Sequence, residues 1–223
     1  MFGIKTKIIN YLNQYIDLQD KQLRTIRLHP VGYACNHNCL MCWRQQILPS
    51  MKSRLISTKN DLTIQDYQNL LTNLPKSVRQ IEIVGGGEPL LFHQIIPLLI
   101  SIKNEHYYGS LITNGSLLNQ KLINHLIKYK WDMVRISFHA ASAKTYQKIQ
   151  GVDHYKTVIK NIRLFLKLRS QSRLPKLKLL FVIQKDNYHE IKAFIELCQK
   201  LKVDQLEFDY LIADSPKAII SQS

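Results

Sequence analysis

The sequence contains no apolar run of the roughly 18 residues that a membrane-spanning helix requires. Its first residues, MFGIKTKIINYLNQYI, are interrupted by Lys5 and Lys7 and lack a small-residue cleavage site, so we do not expect them to be a signal peptide. Cysteine is scarce, with 4 in 223 residues. Without an export signal, clustered thiols indicate a reducing cytoplasm, where they bind metals more often than they form disulfides. We therefore expect a cytoplasmic protein with no transmembrane segment.

Acidic residues are also few: 16 Asp and Glu stand against 31 Lys and Arg, a net charge of +15. Such a charge suggests an acidic partner, for example nucleic acid, a phosphorylated substrate or an acidic protein. The simpler interpretation, a lysine-rich solvated surface, is favoured because few basic residues cluster. One basic stripe on a predicted helix is an alternative docking surface for RNA or an acidic peptide; it comprises Lys156, Lys160, Arg163 and Lys167.

Six segments have the apolar, β-branched composition of strands that are covered on both faces. They are residues 25–33, 80–84, 110–113, 133–139, 177–183 and 205–211. Amphipathic helical patterns alternate with them, which predicts parallel strands joined by right-handed crossovers. This α/β pattern fits an open doubly wound sheet or a partial barrel. We expect an N-terminal amphipathic helical extension over 1–24, a core over 25–211 and a polar tail over 212–223.

Three of the cysteines follow the first predicted strand directly, in CNHNCLMC. Cys35, Cys39 and Cys42 have the spacing C-x3-C-x2-C, whereas Cys198 lies on the apolar face of a helix and is expected in the core. Three thiolates with an open position suit an iron–sulfur cluster whose fourth iron takes an exogenous ligand. A zinc site remains an alternative, although His37 would be a cramped fourth ligand.

The second predicted strand ends at GGGEP, residues 85–89. Glycines let backbone carbonyls approach a ligand closely, and Glu88 can accept charge-assisted hydrogen bonds from an ammonium group. An ordinary strand-to-helix turn would also explain this segment. Its predicted position beside the cysteines, at the C-terminal ends of the strands, favours a binding site.

Together, CNHNCLMC and GGEP resemble the cysteine and methionine-amino-group motifs of radical S-adenosylmethionine (SAM) enzymes. TNGSLL (113–118), RISFHA (135–140), YQKIQG (146–151) and FVIQKDNYHEI (181–191) are similar to stretches of the SPASM-type branch. That branch often carries a C-terminal cysteine-rich cluster domain, and nothing cysteine-rich follows residue 198 here. The resemblance therefore implies a minimal enzyme, a truncated domain, or a chain that needs a partner protein to cover its open barrel.

The resemblance implies a partial (β/α)6, TIM-like barrel and a radical SAM enzyme. Cys35, Cys39 and Cys42 would hold three irons of a [4Fe–4S] cluster, and SAM would bind the fourth. With an electron donor, the enzyme would reductively cleave SAM to a 5′-deoxyadenosyl radical that abstracts hydrogen from its substrate. The substrate is expected to be a peptide or another sizeable partner. RNA or nucleotide modification, and a catalytically silent iron–sulfur or zinc module, are the alternatives.

The resemblance also implies the contacts to SAM. They are Gly86, Gly87 and Glu88 for the amino group, Met41 for the adenine, Ser137 for the ribose or carboxylate, and Asn114 and Ile183 for further contacts.

Four other residues lie in or near these motifs. Trp43 and Arg44 are expected to line the substrate mouth, Trp43 being equally suited to anchor the loop, while His37 is expected to face solvent. His93 is expected to cap or flank a helix.

Two residues depart from the pattern of the family. His139 stands where relatives often have Asp; on the predicted strand it shares the barrel-facing side with Ser137, so it is expected to face the ribose of SAM or the substrate and could shuttle a proton as a catalytic group. A hydrogen-bonded structural histidine is the alternative. Gln150 stands where many relatives have an arginine that pairs with the carboxylate of SAM, so either Arg135 or Lys148 compensates or SAM binds more weakly.

Overall fold

A computed structural model describes residues 23–46, 62–170 and 172–210. The predicted N-terminal extension lies outside the described residues apart from positions 23 and 24, and so does the predicted tail. None of the described helices is both long and apolar enough to cross a membrane.

Six parallel strands form one sheet in which spatial order follows chain order. The strands are β1 (Thr25–Leu28), β2 (Gln80–Ile83), β3 (Tyr108–Thr113), β4 (Met133–Ser137), β5 (Lys176–Ile183) and β6 (Gln205–Tyr210). Within the described residues β1 pairs with β2 alone and β6 with β5 alone, so the sheet is not closed. A doubly wound sheet would reverse its strand order, whereas this sequential order is that of a partial barrel. The predicted partial (β/α)6 barrel is confirmed.

Within the described residues, six α-helices lie between the strands. They are α1 (Ile64–Thr72), α2 (Ile95–Asn104), α3 (Gln120–Lys128), α4 (Ala143–Gln150), α5 (Tyr155–Leu168) and α6 (Ile191–Leu201). Helix α1 begins at a capping box, because the hydroxyl of Thr63 accepts the N–H of Asp66 and the Asp66 carboxylate accepts the N–H of Thr63. His93 immediately precedes Gln94, the N-cap of α2. The basic stripe predicted on α5 is exposed along its length.

Three predicted elements differ from the structure. The first strand ends at Leu28 instead of reaching residue 33, because Pro30 lacks the N–H that a ladder needs and the chain turns at Gly32, whose φ is 53°. The fourth strand ends at Ser137 because His139 adopts a φ of 52°. The fourth crossover contains two helices, since Gly151 ends α4 with a left-handed φ of 69°.

The two faces of the sheet carry different chemistry. Alternation along β2 buries Ile81 and Ile83 in the apolar core and turns Glu82 to the other side. There Arg135 of β4 lies 3.9 Å from Glu82 and 2.8 Å from Glu207 of β6. These strands are not neighbours, so the ion pairs cross the concave side of the barrel. The guanidinium of Arg135 is therefore paired with two carboxylates on the concave side of the sheet, which we call the barrel floor.

Candidate functional site

A cavity of about 230 Å³ lies at the C-terminal ends of the central strands. Ten of the eleven site residues expected from the sequence line it: Cys35, Cys39, Met41, Cys42, Gly86, Gly87, Glu88, Asn114, Ser137 and His139. Ile183 is the exception; it ends β5, pairs in register with Tyr210 and packs against the core. Gln184, which follows it, lines no wall either, but its Nε2 lies 3.2 Å from the Sδ of Met41.

The cysteine loop, residues 35–42, is held on one side by the glycine turn after β2. The N–H of Glu88 donates to the carbonyl of Ala34 at 2.7 Å. A Cβ on Gly87 would lie 1.8 Å from that same carbonyl oxygen. Only glycine permits this approach, so the GGGE segment fixes the start of the cysteine loop as well as lining the cavity.

The other side of the cysteine loop rests on the end of α4. The N–H groups of Asn38 and Leu40 donate to the carbonyls of Gln150 and Ile149, at 3.1 and 2.8 Å. Gly151 lies so close that a Cβ there would meet the carbonyl oxygen of Asn38 at 2.3 Å. The loop is therefore clamped between two β/α units by backbone contacts.

The three loop thiols are free. Burial, followed by the charges of the other two thiols, raises the pKa of Cys39 to about 12, and burial also raises that of Cys35. The Sγ–H of Cys39 donates to the Oε1 of Gln150 at 2.8 Å. Both cysteines are thus protonated at neutral pH, and metal binding would release their protons.

The three free thiols stand on the wall of one cavity. A [4Fe–4S] cubane takes one thiolate at each of three separate irons, so this set of donors fits the cluster that the sequence resemblance implies. A structural zinc ion would need a fourth protein ligand beside them.

Glu88 is almost fully buried, with 2% of its surface exposed. Its carboxylate accepts hydrogen bonds from the hydroxyl of Thr113 at 2.5 Å and from the N–H groups of Asn114 and Leu90 at 2.8 and 3.1 Å. Burial nevertheless raises the pKa of this carboxyl group. A neighbouring cation would stabilise its charged form, as an ammonium group of a ligand would do.

Asn114 joins the end of β3 to the cysteine loop. Its Nδ2 donates to the Oδ1 of Asn36 at 2.8 Å, and its Oδ1 accepts from the N–H and hydroxyl of Ser116. The Nδ2 of Asn36 in turn donates to the Ser116 hydroxyl at 2.9 Å. Asn36, Thr113 and Ser116 were not predicted as site residues. Their signal in the sequence was that they lie within the motifs CNHNCLMC and TNGSLL.

His139 lines the cavity although it lies beyond the end of β4, so strand alternation does not account for its position. The strand has already ended, and the Nδ1 of His139 accepts the N–H of Val182 at 3.0 Å. Burial lowers the pKa of this imidazole to about 3, so it is neutral and carries its proton on Nε2. The ring is thus a positioned neutral group on the cavity wall.

His37 does not face solvent, and that expectation is wrong: only 3% of its surface is exposed. Its Nδ1 lies 3.4 Å from the Oε1 of Gln150 and its Nε2 lies 3.1 Å from the Nδ1 of His154. Burial lowers the pKa of His37 to about 4. The two partners of the His37 ring lie more than a hundred residues away along the chain. The sequence of the loop alone therefore does not indicate that this ring is buried.

Trp43 combines the two roles considered for it. It lines the cavity mouth with 42% of its surface exposed. Its ring also packs edge-on against Tyr33 with the centroids 5.1 Å apart. An exposed aromatic group therefore stands at the entrance, packed against Tyr33, which lies two residues before the cysteine loop.

Comparisons with known proteins agree with this geometry. Residues 30–198 match the sequence model of the Radical SAM superfamily. Among curated proteins, the chain is similar to a probable GTP 3′,8-cyclase of Saccharolobus islandicus, with 28% identity over 193 residues. The match covers 86% of this chain and 58% of the relative. The chain therefore spans little more than half the length of the curated relatives that it matches.

Solved structures share the fold. Streptococcus suis SuiB bound to the precursor peptide SuiA superposes with a TM-score of 0.73 at 18% identity, covering 98% of this chain and 46% of that one. The structure of anSMEcpe with bound AdoMet and the Cp18Cys peptide gives a TM-score of 0.63 at 17% identity, covering 84% and 50%. The match to the superfamily spans most of the barrel and includes all three loop cysteines. The chain belongs to the radical SAM superfamily, an enzyme family whose cofactors are a [4Fe–4S] cluster and S-adenosylmethionine.

Proposed function

We propose that this chain is a radical SAM enzyme that acts on a peptide or another sizeable substrate. The observation that carries the proposal is the convergence of three free thiols, a glycine turn and a buried carboxylate on one cavity at the C-terminal ends of parallel strands. In barrels of parallel strands, this end is where active sites form.

Cys35, Cys39 and Cys42 would hold three irons of the cluster. The backbone of Gly86 and Gly87, together with the carboxylate of Glu88, would receive the amino group of SAM. The raised pKa of Glu88 supports this role, because an ammonium partner would stabilise the ionised carboxylate.

The remaining proposed contacts to SAM come from other residues in or beside the cavity wall. Met41, held by Gln184, would contact the adenine, and Ser137 the ribose or carboxylate. Asn114 would act by fixing the loop that faces SAM. His139 would present its Nε2–H to the ribose or the substrate. We make no assignment for Ile183, because it lies away from the cavity.

When bound, the cluster and SAM supply reductive cleavage of a carbon–sulfur bond and abstraction of a hydrogen atom from the substrate. The residues of the chain position the two cofactors and exclude water. The cavity wall is buried at Glu88, Asn114 and His139, which keeps bulk solvent from the reacting groups.

A peptide substrate is supported by the form of the barrel and by its structural neighbours. The sheet is open between β1 and β6, and Trp43 stands exposed at the cavity mouth. SuiB was solved with its precursor peptide and anSMEcpe with the Cp18Cys peptide. A partner protein that covers the open barrel, and a reducing electron donor, belong to the same proposal.

A nucleotide substrate is the second candidate. Its support is the name of the curated relatives, probable GTP 3′,8-cyclase, and the net charge of +15. A nucleoside triphosphate would need several cations near the cavity, and Arg44 is the only Lys or Arg that lines it among the described residues. This observation favours the peptide.

The test is anaerobic reconstitution with iron and sulfide, followed by SAM and dithionite. We expect a brown protein that forms 5′-deoxyadenosine, and a variant lacking all three loop cysteines that forms none. A cluster without cleavage of SAM would instead indicate a silent binding module. Zinc in a colourless preparation would overturn the proposal.

Substrate class is tested next with the same protein. Short synthetic peptides and GTP are each added, and 5′-deoxyadenosine formation is compared with the uncoupled rate. We expect stimulation by peptide and none by GTP. Stimulation by GTP alone would transfer the assignment to the nucleotide class.

A further inference from the structure

We infer that the guanidinium of Arg44, in the short helix that follows the cysteine loop, binds the carboxylate of SAM in this chain. The inference rests on the proposed function and adds to it the residue that supplies the positive charge. It also names a residue that could supply the positive charge missing at position 150, where this chain has Gln150 and many relatives have arginine.

The charges of the cavity wall leave Arg44 as the candidate. Within the described residues, the side chains lining the cavity include one cation, Arg44, and one carboxylate, Glu88. SAM brings an ammonium group and a carboxylate on the same carbon. Glu88 is suited to the ammonium group, and Arg44 then complements the remaining charge.

Arg44 is also incompletely hydrogen-bonded. Its Nε is buried without a hydrogen-bond partner, and its Nη1 donates to the carbonyl of His37 at the long distance of 3.5 Å. No carboxylate of the described residues forms an ion pair with it. Arg44 lines the cavity, and a carboxylate bound there can accept N–H groups of its guanidinium.

The other candidate groups are engaged elsewhere. Gln150 donates its Nε2 to the carbonyls of Ser137 and Phe138, at 2.9 and 3.5 Å. Arg135 is paired at the barrel floor, and Lys148 pairs with Asp186 at 2.6 Å on the surface. Neither Arg135 nor Lys148 lines the cavity. The two compensating residues considered from the sequence are therefore excluded by position.

The position of Arg44 relative to the thiols suits the role. It stands two residues after Cys42 and lines the cavity together with all three loop thiols. If those thiols hold the cluster, SAM would bind beside it, and Arg44 would then lie on the wall next to the bound SAM.

The test is a thermodynamic cycle that uses two ligands and two matched charge removals. Arg44→Gln and the control Lys148→Gln each remove one positive charge, and both are reconstituted anaerobically with four irons per chain confirmed by analysis. The dissociation constants of SAM and of decarboxylated SAM are measured by calorimetry. The change in the ratio of the two constants between a variant and the wild type isolates the contact of Arg44 with the carboxylate, because the other contacts of each ligand are the same in both proteins.

In Arg44→Gln we expect SAM to bind roughly 10- to 100-fold more weakly, as loss of a charge-assisted pair predicts, while decarboxylated SAM changes less than about twofold. Lys148→Gln should match the wild type with both ligands. Arg44→Lys, which keeps the charge but not the planar fork, should give an intermediate ratio and serves if the glutamine variant does not reconstitute. A wild-type ratio in either Arg44 variant overturns the inference. Failure of the cluster-loaded wild type to bind SAM would instead overturn the proposed function.

Discussion

The carboxylate of Glu88 accepts the backbone N–H of Asn114 at 2.8 Å, which links the turn after β2 to the end of β3. The same carboxylate accepts the hydroxyl of Thr113, and Asn114 continues the contact to Asn36 in the cysteine loop. A chain of buried hydrogen bonds thus connects three consecutive β/α units at the rim. Such networks hold their members in one geometry when every group is satisfied.

Glu88→Gln tests both roles of this carboxylate. The amide keeps the size of the side chain but turns an NH2 group toward donors, so we expect the unfolding free energy to fall by about 1–3 kcal/mol. SAM should bind roughly 10- to 100-fold more weakly to the reconstituted protein, because the ammonium group loses its counter-charge. Urea unfolding and calorimetry measure the two effects. Glu196→Gln on the exposed side of α6 is the matched control, and SAM affinity within twofold of this control would contradict the role of Glu88.

Each cysteine of the loop should be required for the cluster. Cys35→Ala, Cys39→Ala and Cys42→Ala remove one iron ligand apiece, and we expect reconstituted iron and the brown absorbance to be largely lost in each. Cys198→Ala is the control, since that thiol is buried in α6 within the core. Iron analysis after desalting measures the outcome. Retention of a full cluster in any of the three loop variants would refute the assignment.

Gly87→Ala should push the backbone of the glycine turn and the start of the cysteine loop apart. The added Cβ would lie 1.8 Å from the carbonyl oxygen of Ala34, so one of the two backbones must move. We expect a loss of at least about 2 kcal/mol in unfolding free energy, in line with overpacked sites, and poor cluster assembly. Urea unfolding and iron content report on the two consequences. Wild-type values for both would show that the contact between turn and loop is dispensable.

The protein without its cluster should lose stability in acid because His139 is buried and neutral. The unfolded state gains a proton near the ordinary histidine pKa of about 6.5, whereas the folded state gains it only near 3. Stability is therefore lost as pH falls, by about 2 kcal/mol from this residue between pH 7 and 5. His139→Asn keeps an acceptor for the N–H of Val182 and tolerates a positive φ. Urea unfolding at both pH values should show a loss smaller by that amount in the variant, and an equal loss would contradict the account.

The sequence predicted the parts of the site that depend on position along a strand. Cys35 and Glu88 follow β1 and β2, and parallel strands necessarily bring such residues to the same rim. The predicted barrel is confirmed by the strand order, and the predicted family and its two cofactors are confirmed by the match to the superfamily. Local chemistry was equally predictable, since the capping box of Thr63 and Asp66 involves residues three apart.

The parts that were not predicted depend on contacts between residues far apart in the chain. The burial of His37 results from Gln150 and His154, and the pairing of Arg135 with Glu207 crosses the concave face of the barrel. Neither partner is visible in a window of neighbouring residues. Helix α4 was missed for another reason: it has only eight residues, and Tyr146 and Ile149 are its only large buried apolar side chains.

The clamping of the cysteine loop has a consequence for how the metal centre is acquired. Ala34 hydrogen-bonds to Glu88, and Asn38 and Leu40 hydrogen-bond to the end of α4, through backbone atoms alone. None of these contacts uses a thiol, so they should hold the loop whether or not its cysteines carry a cluster, unlike small zinc modules that fold only around their ion. We therefore expect that a protein that has lost its cluster to oxygen keeps its fold and regains the cluster from iron and sulfide without new synthesis of the chain.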